Sequence, residues 1–301
     1  AVVGAGPAGL ACATTLAGRG HDVTLFEAAG EIGGQFRMAM RVPGKEEFAE
    51  TLRYFQRLLA KTGATLRLGT RVSADELAAG RYDDVVLATG VVPRDPRIPG
   101  QEHPKVLSYV DVLLRGAPVG KSVAVVGAGG IGFDVAEFLV HGERTKGADG
   151  PDLATWMREW GVTDPEVEPG GVTKPRPEPP ARKVYLLQRK KTRPGAGLAK
   201  TTGWIHRAAL KMKDVEMIAG ARYDRVDDRG LTVSFGEKGE RTRLLEVDNV
   251  VLCTGQEPLR ELEAPLRAAG VKVHLIGGAD VAAELDAKRA IEQGTRLAAS
   301  L

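Results

Sequence analysis

The same six residues, AVVGAG, occur at positions 1–6 and again at 124–129. Each copy opens a G-x-G-x-x-G series: Gly4, Gly6 and Gly9 in the first, Gly127, Gly129 and Gly132 in the second. In such a turn the first glycine permits the tight bend. The second lets the backbone approach a pyrophosphate, and the third lets a helix pack closely on the strand. The helix that follows points its free N–H groups and its positive dipole end at the phosphates. The implied chemistry is dinucleotide binding, specified twice.

The two copies differ at the tip of the next strand. The run 23–26 ends in Glu27, whose carboxylate suits two free ribose hydroxyls. In the second copy the run 184–187 ends in Gln188-Arg189-Lys190-Lys191. A carboxylate there would repel a 2′-phosphate. Arginine and lysine attract one, and arginine can hold it with two parallel hydrogen bonds. The second site therefore reads as a site for NADPH, and the first as a site for an unphosphorylated adenosine.

These residues need strand–turn–helix–strand units to position them. The sequence predicts a strand over 1–3, a helix over Pro7–Gly18 and a strand over 23–26. It predicts the same order after the second copy, interrupted by a proline-rich insertion at about 142–182 with one helix near Leu153–Trp160. Trp156 and Trp160 share a face of that helix. Two further apolar runs, 83–90 and 249–255, end in matching Ala-Thr-Gly and Cys-Thr-Gly turns. Asp280 follows the run 274–279 and can also serve as a helix N-cap. Asp134 reads equally as a nicotinamide neighbour or as an exposed first-turn helix acid, whereas His206 reads first as a structural histidine, with a place at the nicotinamide or at an interface as the alternatives.

The resulting fold class is α/β, with two Rossmann-like dinucleotide-binding domains nested in each other. One domain covers 1–116 and 256–301. The other covers 117–255, includes an antiparallel patch around 221–245, and is inserted in the first. Both nucleotides are expected to meet at the domain boundary.

Composition narrows the partners. Of 301 residues 43% are hydrophobic, and the net charge is +3 with both signs interspersed, which argues against nucleic acid. Cys12 and Cys253 are the two cysteines and form no C-x-x-C pair, so no disulfide framework, zinc site or iron–sulfur cluster is expected from this chain. No apolar run suits a membrane span and no signal peptide is evident, so a cytoplasmic setting is expected. The chain opens inside a strand at Ala1, and residues ahead of it are expected.

GEIGGQF (30–36) resembles the flavoprotein pattern in which this loop lies along the FAD pyrophosphate and ribityl chain. VPGKEEF, HPKVLSY, GAGGIGFD, KTTGWIHR and GGADVAAELDAKRAIEQGTRLA extend the resemblance over nearly the whole chain. Together they resemble the C-terminal part of bacterial 2,4-dienoyl-CoA reductases, which are modular relatives of old yellow enzyme and trimethylamine dehydrogenase. That resemblance implies hydride transfer from NADPH to FAD. Electrons would then pass through an iron–sulfur cluster and FMN, both in an N-terminal barrel region, to an unsaturated fatty acyl-CoA in β-oxidation.

Residue by residue it implies an FAD set of Gly4, Gly6, Ala8, Gly9, Glu27, Gly34, Gln35, Lys45, Val72, Asp280, Ala287, Lys288, Arg289 and Ala290. The implied NADPH set is Gly129, Gly130, Ile131, Arg189 and Lys190. The helix start at Lys288-Arg289 would face the flavin ring and stabilise added negative charge. Hydride transfer needs alignment and exclusion of water rather than a general acid or base, so no catalytic residue and no metal ligand is assigned.

Overall fold

Short β-branched runs bounded by the two glycine turns build the same five-stranded parallel sheet twice. In the computed structural model, described for residues 1–141, 153–237, 239–283 and 286–301, the chain divides into two units. The first holds Ala1–Met40, Glu47–Arg94 and Gln256–Leu301. The second holds Arg41–Glu46 and Asp95–Gly255.

In the first unit the strand order is Val273–Leu275, Val85–Leu87, Val2–Val3, Thr24–Phe26, Thr65–Arg67, all parallel. In the second it is Val106–Ser108, Asn249–Leu252, Ser122–Val126, Lys183–Leu187, Glu216–Ile218, again all parallel. The glycine-turn strand is central in both sheets. One neighbour leads to the tip residue, Glu27 or Arg189, and the other leads to the Ala-Thr-Gly or Cys-Thr-Gly turn. Ligands of such sheets bind beyond the carboxyl ends of the strands, where the strand order reverses. Each glycine turn stands at that place.

Both sheets are covered on two faces, as their unbroken apolar runs require. Val123, Ala124, Val125 and Val126 are fully buried. So are Leu10 and Leu25 in the first unit, each contributing about 2 kcal/mol by burial. The antiparallel patch is a three-stranded sheet, Arg222–Asp227, Gly230–Phe235 and Arg241–Glu246, inside the second unit. Val91–Pro93 pairs antiparallel with Gln256–Pro258 where the chain leaves and re-enters the first unit.

Two sequence expectations change. Residues 95–116, assigned with the first domain, lie in the second unit, because Val106–Ser108 pairs with Asn249–Leu252. The final helix, Ala287–Ser300, is capped by Asp286, whose side chain accepts from the Arg289 N–H at 2.7 Å; Asp280 is not its cap. Lys45 lies in the second unit. Of the insertion, 142–152 lie outside the described residues. Leu153–Trp160 is helical, and its two tryptophan rings stack with centroids 6.3 Å apart.

Candidate nucleotide-binding sites

The glycines of each turn divide into two classes by the space around them. A Cβ on Gly9 would lie 1.8 Å from the Gly4 carbonyl oxygen, and one on Gly132 would lie 1.7 Å from that of Gly127. Gly4 and Gly127 have φ of 104° and 114°, and a Cβ would press on the carbonyls of Ala88 and Cys253 at 2.4 and 2.2 Å. Packing demands these four. Gly6 is different: its nearest neighbour would be the Gly34 Cα at 3.9 Å, and around Gly129 and Gly130 nothing lies within 4 Å. The fold leaves that space open, in front of helix N–H groups that no side chain caps at Gly6. A pyrophosphate fits it on chemical grounds.

The loop at 33–35 closes over the first turn. The Gly33 N–H donates to the Ala5 carbonyl at 2.8 Å, and a Cβ on Gly34, where φ is 50°, would reach the Gly6 Cα at 3.0 Å. Gln35 opens the short Phe36–Ala39 helix, with Phe36 stacked on Phe48 at 4.6 Å. Glu27 is fixed by backbone: Oε2 accepts from the Ala5 N–H and Oε1 from the Ala29 N–H, both at 2.8 Å. A carboxylate has about four acceptor sites, so ribose hydroxyls retain access to it. Val72 belongs to the apolar core around Leu77 and Leu266, outside helix and strand. Ala8 is buried, and Gly294 of the last helix packs against its carbonyl, where a Cβ would come within 2.3 Å.

Asp280 ends the turn Gly277–Ala279, and its Oδ2 accepts from Gln293 Nε2 at 2.6 Å. Lys288 is exposed at the start of the last helix. Arg289 donates from its guanidinium to the Val281 carbonyl at 2.6 Å, and Ala290 is buried.

In the second unit Arg189 and Lys190 are exposed just beyond the Lys183–Leu187 strand. Among the described residues no carboxylate forms an ion pair with either. Arg189 lies close enough to Tyr223 to act on its hydroxyl, which burial pushes up to about 12. Ile131 is half-buried in the first turn of the Gly130–His141 helix. Lys45 pairs with Asp134 of that helix, its Nζ 2.6 and 2.7 Å from the two carboxylate oxygens. Burial, then the Lys45 charge, lowers the pKa of the nearby His206.

One group here was not apparent from sequence. Glu137, a turn beyond Asp134, is half-buried, and desolvation followed by the Asp134 charge pushes its carboxyl up to about 7. The ordinary value is 4.5, so between these pH values the folded chain holds a proton that the unfolded chain has lost. Stability contributed by the neutral form is present below 4.5 and is lost as pH rises through 7. Replacing Glu137 by Gln should therefore stabilise the protein by about 2 kcal/mol at about pH 8 and change little at about pH 5. Urea denaturation at both pH values checks this, and a gain independent of pH would contradict it.

Cys12 and Cys253 are buried free thiols. Burial raises Cys12 to about 12 and shifts Cys253 upward as well, so neither is a ready nucleophile. Among the described residues no helix is long and apolar enough to cross a membrane.

Residues 1–289 match the family described as pyridine nucleotide-disulphide oxidoreductase. An N,N-dimethylglycine/sarcosine dehydrogenase of Chromohalobacter salexigens is 32% identical over 267 residues, covering 85% of this chain and 33% of the relative. An NADH oxidase of Thermoanaerobacter brockii is 30% identical, covering 92% of this chain and 37% of the relative. A 2-naphthoyl-CoA reductase structure superposes with a TM-score of 0.80 at 24% identity, over 100% of this chain and 39% of its own. The chain thus spans well under half the length of these relatives.

Proposed function

The chain belongs to the pyridine nucleotide-disulphide oxidoreductase family, and from that membership we propose that it is the NADPH-to-FAD hydride-transfer module of a 2,4-dienoyl-CoA reductase working in the cytoplasm. The family binds FAD and NAD(P)H, and this chain is a flavin oxidoreductase module related to NAD(P)H-dependent reductases. The observation that carries the finer reading is the contrast at two equivalent strand tips, Glu27 in one sheet and Arg189-Lys190 in the other.

Bound at these sites, NADPH would supply a hydride donor and FAD its acceptor. The protein's part is to bind and orient. Gly6 and Gly129 leave room for phosphates, and the helix starts at Pro7 and Gly130 turn N–H groups toward them. Glu27, locked by the N–H groups of Ala5 and Ala29, holds sugar hydroxyls. Arg189 and Lys190 hold a 2′-phosphate. Onward transfer through an iron–sulfur cluster and FMN of an N-terminal region rests on the blocks KTTGWIHR and ELDAKRAIEQGTRLA.

A second reading, the same module in an amine dehydrogenase, is favoured by the 32% identical dehydrogenase relative. The purified chain should be yellow with FAD, and NADPH should bleach it anaerobically much faster than NADH. Equal bleaching by both would remove the NADPH assignment. The full-length protein should reduce a 2,4-dienoyl-CoA with NADPH under the first reading. Under the second it should oxidise a methylated amine instead.

A further inference from the structure

The turn that carries Asp280 is held from two sides by side chains distant in sequence. From the loop after Gln256–Pro258, Arg260 donates its Nε to the Ala279 carbonyl at 2.6 Å and a terminal nitrogen to the Asp280 carbonyl. From the last helix, Gln293 makes two bonds of opposite sense. Its Oε1 accepts from the Gly277 N–H at 2.8 Å, and its Nε2 donates to Asp280 Oδ2 at 2.6 Å.

The two partners fix the amide. Gly277 can only donate there, and an ionised carboxylate can only accept, so the Gln293 oxygen and nitrogen cannot exchange places without losing both bonds. The helix beneath is equally constrained. Gly294 leaves no room for a Cβ against the Ala8 carbonyl, so position 293 cannot slide along its neighbour. Gly277 has φ 63°, and a Cβ there would meet that of Ala8 at 2.8 Å, so the turn itself has one seat. The net effect is on one carboxylate. The amide takes one acceptor position of Oδ2 and fixes the plane of the group, so Oδ1 is the freer oxygen to accept from a ligand hydroxyl.

We propose that Gln293 is a positioning residue of the flavin site: by bridging Gly277 and Asp280 it sets which carboxylate oxygen, at what angle, meets the ribityl hydroxyls. The proposal rests on the FAD reading above. It predicts that Gln293 acts through Asp280 and not through general stability of the helix.

Deflavinated wild-type, Gln293→Met, Gln293→Glu and the double variant Asp280→Asn/Gln293→Glu are titrated with FAD, following flavin fluorescence at about pH 6 and about pH 8.5. Gln293→Met loses both bonds and should weaken FAD binding about tenfold at either pH, the effect of a hydrogen bond to a charged group. Gln293→Glu sets a second carboxyl against Asp280, so its affinity should fall further as pH rises and both ionise. In the double variant the new Asn amide donates to the new carboxylate, so affinity should recover above that of Gln293→Glu and lose its pH dependence, while the Asp280→Asn change keeps it below wild type.

Gln293→Met binding like wild type would overturn the proposal, as would a double variant no tighter than Gln293→Glu. If Gln293→Met does not fold, the pH dependence and its rescue decide alone. In either case wild-type binding leaves the FAD reading standing, whereas a wild-type chain that takes up no FAD overturns both.

Discussion

Gly9→Ala is expected to abolish folding of the first unit, whereas Gly6→Ala is expected to leave the fold intact and lose the flavin. The two residues are three apart in one turn, and their surroundings are opposite. A methyl at Gly9 would sit 1.8 Å from the Gly4 carbonyl oxygen, a backbone atom that cannot move without dragging the Val2–Val3 strand. Overpacking against backbone costs about 3 kcal/mol or more, a large share of a typical domain's stability. Gly6 has φ −78°, which any residue adopts, and its methyl would meet the Gly34 Cα at an ordinary 3.9 Å. The expected change in stability is within about 0.5 kcal/mol. That methyl stands where backbone must meet phosphate, so FAD affinity should fall about a hundredfold or more. Gly132→Ala and Gly129→Ala should repeat the contrast for the second nucleotide. Urea midpoints and flavin content of the purified variants measure it. A Gly6→Ala protein with full flavin would show that the open space serves some other purpose.

The local parts of this architecture were legible in sequence because they rest on residues close together. The Pro7–Gly18 and Leu153–Trp160 helices lie where periodicity and punctuation put them. What escaped depends on partners far along the chain. Val106–Ser108 looks like any short apolar strand, and its assignment turns on pairing with Asn249–Leu252. Lys45, placed in the flavin set by resemblance, shows its partner only when the fold brings it to Asp134, 89 residues away. Two aspartates precede the last helix, and Asp286 rather than Asp280 caps it because its side chain is the one in reach of Arg289 N–H. Gln293 reads as one more polar position on an amphipathic helix; its two bonds appear only when the Gly277 turn is laid beside it. Glu137 did leave a signal, an acid among Val135, Ala136 and Leu139, all fully buried.

Removing Arg189 and Lys190 together should lower the efficiency of flavin reduction by NADPH about a hundredfold and change that by NADH less than about threefold. Both side chains are exposed, and among the described residues no carboxylate pairs with them, so their loss leaves no buried charge orphaned. The effect falls on the ligand's phosphate alone. A charge-assisted hydrogen bond contributes about 1.5–3 kcal/mol, and two cations at solvent-screened positions together give the bottom of their summed range, ~3 kcal/mol. Arg189→Lys keeps the charge and loses the paired geometry, so an intermediate loss of about tenfold is expected. Arg189→Glu should invert the preference, since a carboxylate at this tip repels a 2′-phosphate and accepts from a free ribose, the arrangement Glu27 provides in the other sheet. The preference should also shrink as salt is raised, because the attracting charges face water. Stopped-flow reduction with both nucleotides at two ionic strengths reads all four effects. Parallel losses with NADPH and NADH would mean that these cations steer nucleotides in general, and the contrast between the two strand tips would no longer distinguish their ligands.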